Sequence, residues 1–380
     1  MTKTVQTDVI VIGAGIMGAA AAFFLRKHGR SVALIEKGLV GQQASGTNFG
    51  NVRRQGRFLP QLPLANRSRA IWGQLNELLG EDAEFLPSGH IRVTYNAEMT
   101  AAVETYAGKA REYGLHLEII SGNVLRDRFP FIGPEAHAGS YSPTDGHANP
   151  RLAAPAFGRA FRRAGGLVFE QTEIALVEKD NDGFRVESTD GRVFRSGQLL
   201  IAAGAWGNKL SSQFGEPVPL SIQGPQMCVT EPVPYAIAPV IGVTTHVPEE
   251  VVYCRQVKRG NIVIGGTGRE PASIETSRAN VNPENTLRQF RQITRVIPAL
   301  NRLTIIRVWS GVESYLPDDI PIMGPSGKVS GLYYAFGFCG HGFQLGPGVG
   351  EVMAELMVKG QTQTPIDPFL IARFDKARHA

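Results

Sequence analysis

Three glycines and one carboxylate near the start of the chain have the types and spacing of a dinucleotide site. Gly13, Gly15 and Gly18 stand in GxGxxG order within "DVIVIGAGIMGAAAAFFLRKHGRSVALIEK", residues 8 to 37, with Glu36 and Lys37 at its end. Val9 to Ile12 reads as a buried parallel strand, and the glycines open a helix whose period continues through Ala22 and Leu25 to Gly29, with Ile16, Met17 and, after the next strand, Lys37 expected at the cofactor. Gly13 permits the tight turn, Gly15 lets the backbone approach a pyrophosphate, and Gly18 lets the helix pack on its strand. A second strand, Val32 to Ile35, delivers Glu36 about 20 positions further on, where ribose hydroxyls are held. A carboxylate there repels a 2'-phosphate, which favours FAD or NAD over NADP. The rival reading of this apolar run is a membrane span or secretory signal. Val9 to Leu25 is slightly short for a span, its glycines stand where Leu or Ile would serve better, and Asp8 precedes it where a signal needs basic residues.

The elements that must position such a site fit within 380 residues of 43% hydrophobic composition, enough for two domains or one large α/β unit. Three widely spaced cysteines, Cys228, Cys254 and Cys339, imply neither a disulfide framework nor a metal or iron-sulfur centre, and a reducing cytoplasm is expected. The net charge of +5 is modest. Arg53, Arg54, Arg57, Arg67 and Arg69 cluster without interleaved aromatics, so no nucleic-acid groove is expected. Arg53 and Arg54 follow the glycine loop most closely.

Residues 38 to 57 read as a Gly-, Ser- and Asn-rich loop beside the nucleotide. Helical spacing follows at 61 to 79, near 98 to 113, at Pro150 to Ala164 and near 283 to 297, with a strand at "HIRVTY". Strands turn at Asp182-Gly183 and Asp190-Gly191, and Leu199 to Ala202 reads as a central parallel strand. From Pro217 to about Ile320, Pro-punctuated strands such as "EVVYCRQ" and "GNIVIGG" imply an antiparallel unit. Tyr253 and Arg255 share one face of "EVVYCRQ" by strand alternation. The chain closes with a strand, the turn "GFCGHGF" and a helix. Gly340, Gly342 and Gly346 are expected to leave backbone amides free at a helix N-terminus that favours an anion.

The glycine fingerprint, "LIAAGAW", "WSGVESYLPDDIPIMG" from Trp309 and "GFCGHGF" from Gly337, taken in this order, resemble the FAD-dependent D-amino-acid oxidase superfamily over nearly the whole chain. The resemblance implies an α/β fold: a discontinuous Rossmann-like FAD domain (1–85, 148–217 and 321–380) and an antiparallel-sheet α+β substrate domain (86–147 and 218–320). It implies that Ser45, Gly46, Asn48, Phe49, Gly50 and Asn51 wrap the diphosphate and ring edge. Val177 would meet adenine, and Ala203, Gly204, Trp206, Gly311, Gly340, His341, Gly342, Phe343 and Gln344 would complete the flavin site. The stretch where glycine and D-amino-acid oxidases carry a carboxylate-binding arginine has Glu313 here. Glu313 would meet a cationic substrate group or pair with Arg307 or Arg255. Tyr253 and Arg255 are candidates for substrate hydroxyl contact and carboxylate pairing, and His341 for a hydrogen bond to flavin or substrate, with a structural role as its alternative. Gln344 replaces the lysine of sarcosine oxidase, and no cysteine lies between Gly311 and Leu316, so the FAD is expected to be non-covalent.

The likeness of "ASGTNFGNVRRQGR" and "YCRQVKRGNIVIGG" points to the flavin subunits of opine oxidase and D-hydroxyproline dehydrogenase. The implied reaction is hydride transfer from a C–H beside nitrogen to flavin N5, then imine hydrolysis. Expected partners are a second flavoprotein and an iron-sulfur protein, which would carry any FMN or cluster and any peripheral membrane association. Two other readings remain: a stand-alone oxidase using O2, and a non-catalytic flavin-binding component for electron relay or assembly.

Overall fold

A computed structural model describes residues 4–375. The chain forms two large sheets in a mixed α/β fold. The first has the order Ile322–Pro325, Leu332–Phe336, Val193–Ile201, Val5–Ile12, Val32–Ile35, Leu167–Phe169. Every neighbouring pair on this path is parallel except the first, where Ile322–Pro325 runs antiparallel to Leu332–Phe336. Strands Ile174–Asp180 and Gly183–Ser188 extend Val193–Ile201 as an antiparallel meander through the two Asp-Gly turns.

The strands of this core are apolar on both faces because helices cover one side and the meander and later turns the other. The helix Ile16–Lys27 has nine consecutive or near-consecutive buried residues from Ile16 to Leu25, so it is central rather than amphipathic. It packs against the last helix, Gly342–Lys359, along a seam of small residues. A Cβ at Gly346 would stand 2.7 Å from Ile16 Cγ1, and one at Gly350 2.4 Å from Ala20 Cβ. The helical stretch read at 61 to 79 is two helices, Leu62–Gly73 and Leu75–Leu79, broken at Gln74, and Pro150–Arg163 starts with Pro in its first turn.

The second sheet has ten strands, in the order Ile305–Ser310, Ser221–Thr230, Ile262–Ser273, Val252–Gln256, Val240–Val243, His90–Thr94, Ala138–Ser142, Glu118–Ser121, with Arg278–Ala279 and Glu313–Tyr315 alongside. Its pairing is antiparallel except that Val240–Val243 runs parallel to His90–Thr94, a crossover that the alternation pattern does not reveal. The helix Pro283–Val296 covers one face, and the other faces the first sheet.

Candidate functional site

Four parallel strands of the first sheet end at one line. Ile12 leads into Gly13, Ile35 into Glu36, Ile201 into the turn Ala202–Trp206, and Phe336 into the turn Gly337–His341. All four ends line a single elongated cavity whose far wall is the ten-stranded sheet. Ligands of open α/β sheets lie at such carboxyl ends.

The nucleotide end is built from backbone and small residues. Gly13 has φ +99, and a Cβ there would lie 2.6 Å from the carbonyl oxygen of Ala202. A Cβ at Gly18 would lie 1.9 Å from the carbonyl oxygen of Gly13, so both glycines are demanded by close approach. Gly15 is the N-cap of the first helix and cannot cap it with a side chain; Ser45 Oγ accepts from Ile16 N at 2.8 Å instead. Glu36 accepts from Ala14 N and Gly38 N, each at 2.8 Å. These groups fit the diphosphate and ribose of a flavin dinucleotide: a helix N-terminus, a cradle that any Cβ would fill, and a carboxylate held by backbone donors. Val177, Ala203, Gly204, Met17, Asn48, Phe49, Gly50 and Asn51 also line the cavity. Asn48 is spent on the local loop, donating to the carbonyls of Ala44 and Ser45 and accepting from Gly50 N. Lys37 lies over the Trp206 ring at 3.5 Å and donates to Ser277 Oγ, while Trp206 Nε1 donates to the carbonyl of Ile274. The two therefore clasp the arm that follows Ile262–Ser273.

Several expected site residues pack beside the cavity rather than in it. Gly18, Gly46 and Gly311 are absent from its wall. A Cβ at Gly46 would meet the Gly41 carbonyl oxygen at 2.4 Å, and one at Gly311 would meet Thr47 Oγ1 at 2.0 Å. Arg255 turns away: Nε donates to the Phe49 carbonyl at 2.6 Å, and Nη1 lies 3.3 Å from His147 Nδ1. It braces the loop instead of reaching substrate. Gln344 reaches the cavity wall, but its Nε2 donates to the Ala65 carbonyl at 2.8 Å, tying the last helix to Leu62–Gly73. Phe343 lines the cavity and packs on Trp72. The amide of Gly340 is not free, because it donates to Glu313 Oε1 at 2.9 Å, and Gly346 serves the helix seam.

The other end of the cavity is built from side chains. Glu313 pairs with neither Arg307 nor Arg255; Tyr315 OH donates to its Oε2 at 2.9 Å, and Gly340 N to its Oε1. Burial raises its pKa, against the Tyr315 hydrogen bond and the charge of Arg269. Tyr253 lies across Gly265, where a Cβ would stand 2.3 Å from its ring, and meets Phe49 edge-on at 4.7 Å between centroids. Burial pushes its hydroxyl up to about 12. His341 is held neutral, well below the usual imidazole range, by burial and by the charges of Arg57, Arg53, Arg269 and Arg92. Those four arginines line the cavity. Of them the sequence singles out only Arg53, as a neighbour of the glycine loop; Arg54, singled out with it, is locked to the buried Asp145 at 2.9 Å. Arg92 and Arg269 lie on strands more than 30 residues from the loop, and no local pattern marks them.

A family model described as FAD dependent oxidoreductase matches residues 8–356. The chain is 27% identical over 379 residues to the glycine oxidase of Geobacillus kaustophilus (strain HTA426), spanning 97% of this chain and 98% of that one. It is 25% identical over 381 residues to one of the subunits of the opine oxidase of Rhizobium meliloti, covering 97% and 98%. The solved structure of L-proline dehydrogenase from P. horikoshii superposes with a TM-score of 0.92 at 26% identity, covering 99% of both chains.

Proposed function

The chain belongs to the FAD-dependent oxidoreductase family and acts on amines or amino acids with FAD as cofactor, and from that premise we propose that it dehydrogenates the C–N bond of an amino acid or secondary amine as the catalytic component of a heteromeric dehydrogenase. The substrates in view are an opine such as octopine or nopaline, and D-hydroxyproline. One observation carries the reading: a single cavity runs from the glycine cradle at Gly13 to the side chains of Tyr253, Glu313 and His341. A flavin laid along it would present its reacting edge to those groups. We assign the FAD to the first sheet and its three sequence segments, held without a covalent bond, and the substrate to the ten-stranded sheet.

The bound FAD supplies the acceptor for the hydride. The chain's own residues do the rest. Burial of the site excludes bulk water, and the surrounding guanidiniums, together with a neutral His341, favour an unprotonated amine. Tyr253 and the turn at His341 orient the C–H bond. The substrate loses a hydride from carbon and a proton from nitrogen to become an imine; water then adds, and the C–N bond breaks to give a carbonyl compound and an amine. The likeness to a component of opine oxidase supports partner proteins, which would take the electrons onward.

The test is an anaerobic screen of the FAD-loaded protein with octopine, nopaline, D-hydroxyproline, sarcosine, glycine and D-amino acids, following loss of the oxidised flavin absorbance. Bleaching by one class is expected. Bleaching by none would leave a relay or assembly role. The likeness to glycine oxidase supports a second reading, direct use of O2, which stoichiometric peroxide release by the isolated chain would favour.

A further inference from the structure

The charge of the cavity is uneven. Its lining carboxylates are Glu36, Glu173 and Glu313, and the first two stand at the nucleotide end, Glu36 on the glycine loop and Glu173 near Lys37. At the other end Arg53, Arg57, Arg92 and Arg269 share the cavity wall with one carboxylate, Glu313, which feels the charge of Arg269. Among the described residues, none of the four forms an ion pair. Asp145, outside the cavity wall, acts on Arg53 and Arg57 through its charge but is paired with Arg54.

The four are grouped at two poles. Arg53 and Arg92 converge over the bare face of Gly56: a Cβ there would stand 1.7 Å from Arg92 Nη1 and 3.4 Å from Arg53 Nη1. Arg57 joins them, with Nε on the Arg53 carbonyl at 3.0 Å and Nη2 toward the His341 carbonyl at 3.4 Å. Arg57 is only 4% exposed, yet its Nη1 has no hydrogen-bond partner. A buried guanidinium nitrogen without an acceptor is costly, which points to a ligand that supplies one. At the second pole Arg269 lies 3.9 Å over the Tyr315 ring, beside Glu313. Tyr253 lines the same end of the cavity, within electrostatic reach of both Arg53 and Arg269.

We propose that this cluster selects a substrate with two carboxylates flanking a secondary amine, one carboxylate held by Arg53, Arg57 and Arg92 and the other by Arg269, so that the C–N bond spans the gap under Tyr253. The inference rests on the amine-dehydrogenase reading of the cavity and narrows it: of the substrates in view it favours those carrying two or more carboxylates over D-hydroxyproline, sarcosine and glycine.

Binding tests it without turnover. Thiodiacetate and methylthioacetate carry sulfur in place of the amine and differ by one carboxylate; calorimetric titration of the FAD-loaded protein gives both dissociation constants. Thiodiacetate should bind roughly 30-fold more tightly, the effect of one well-made charge-assisted contact. Arg92→Gln should cut that ratio to under about fivefold, chiefly by weakening thiodiacetate. Arg92 is the chosen site because among the described residues its side chain makes no hydrogen bond whose loss would disturb the fold. Arg269→Gln, at the other pole, should narrow the ratio too and serves if the first variant misfolds. Equal affinities in the unaltered protein, or a ratio untouched by both variants, would overturn the proposal. Preference for thiodiacetate with no bleaching by any amine would keep the arginine site and remove the dehydrogenase reading.

Discussion

The two ends of one cavity are made by different means. The nucleotide end uses backbone: a glycine loop, a helix N-terminus and a carboxylate fixed by amides of Ala14 and Gly38. The substrate end uses side chains from the loop after Asn51, the strand His90–Thr94, the strands Val252–Gln256 and Ile262–Ser273, and the turn at His341. A backbone site tolerates no added atoms, whereas a side-chain site tolerates changes of charge. Substitutions at the first end should therefore abolish, and at the second end tune.

The largest expected effect is at Gly18. An alanine methyl would stand 1.9 Å from the Gly13 carbonyl oxygen, and that neighbour is backbone that cannot rotate aside. Helix and strand must separate, at a cost of about 3 kcal/mol from overpacking. Gly18→Ala is expected to fold less stably and to retain less than about a tenth of the FAD of the unaltered protein, read from the flavin absorbance per chain and from circular dichroism. A yellow, fully loaded variant would show that the cradle is looser than the close approach requires.

This contrast also explains what is legible in the sequence. The nucleotide end is contiguous: GxGxxG, the strand after it and Glu36 all fall between residues 8 and 37, so spacing alone declares it. "GFCGHGF" is equally local, but the glycines in and after it serve two purposes that sequence does not separate, since Gly340 binds Glu313 while Gly346 and Gly350 make the helix seam. The substrate end joins residues that are more than 200 positions apart, from Arg53 to His341. Tyr253 is identifiable because strand alternation fixes its face, yet the same alternation places Arg255 beside it, and only tertiary packing sends that guanidinium to Phe49 and His147. Glu313 is marked by its departure from the family pattern, but its partners, Tyr315 and Gly340, depend on how the strand Glu313–Tyr315 meets the turn.

A second difference between the ends is acid sensitivity. His90, His147 and His341 cluster toward the substrate sheet and are all held neutral; burial, together with the charges of Arg255 and Lys258, lowers His147 to about 3. A histidine whose folded pKa lies below its unfolded value leaves the unfolded chain binding more protons in acid. Its contribution is therefore intact above about pH 6.5 and lost as pH falls toward 3. At pH 5 the loss is about 2 kcal/mol for His147 alone. The urea midpoint should drop between about pH 7.5 and pH 5, and His147→Gln should flatten that drop. An unchanged slope in the variant would mean that His147 titrates normally.

Glu313→Gln sharpens the comparison at the charge level. The amide keeps an acceptor for Tyr315 or Gly340 but removes the one carboxylate that, among the described residues, lines this end of the cavity beside the arginines. Methylthioacetate and thiodiacetate should each bind roughly three- to tenfold more tightly, the scale of one charge at partly screened distance. Weaker binding of both would instead show that the carboxylate, through Tyr315 and Gly340, holds the shape of the anion site.

The smallest effect is expected at Tyr253, where packing and polarity can be separated. The ring is fixed by the bare surface of Gly265 beneath it and by Phe49 at its edge, so Tyr253→Phe keeps every contact that holds the side chain. The hydroxyl has no hydrogen-bond partner among the described residues and faces the cavity. Its removal should leave the thermal midpoint within about one degree and FAD content unchanged. The Kd of the productive substrate should rise about two- to fourfold, the loss of one neutral hydrogen bond. If stability falls as well, the hydroxyl belongs to the fold, and the division between a backbone end that carries the structure and a side-chain end that carries the selectivity fails at this residue.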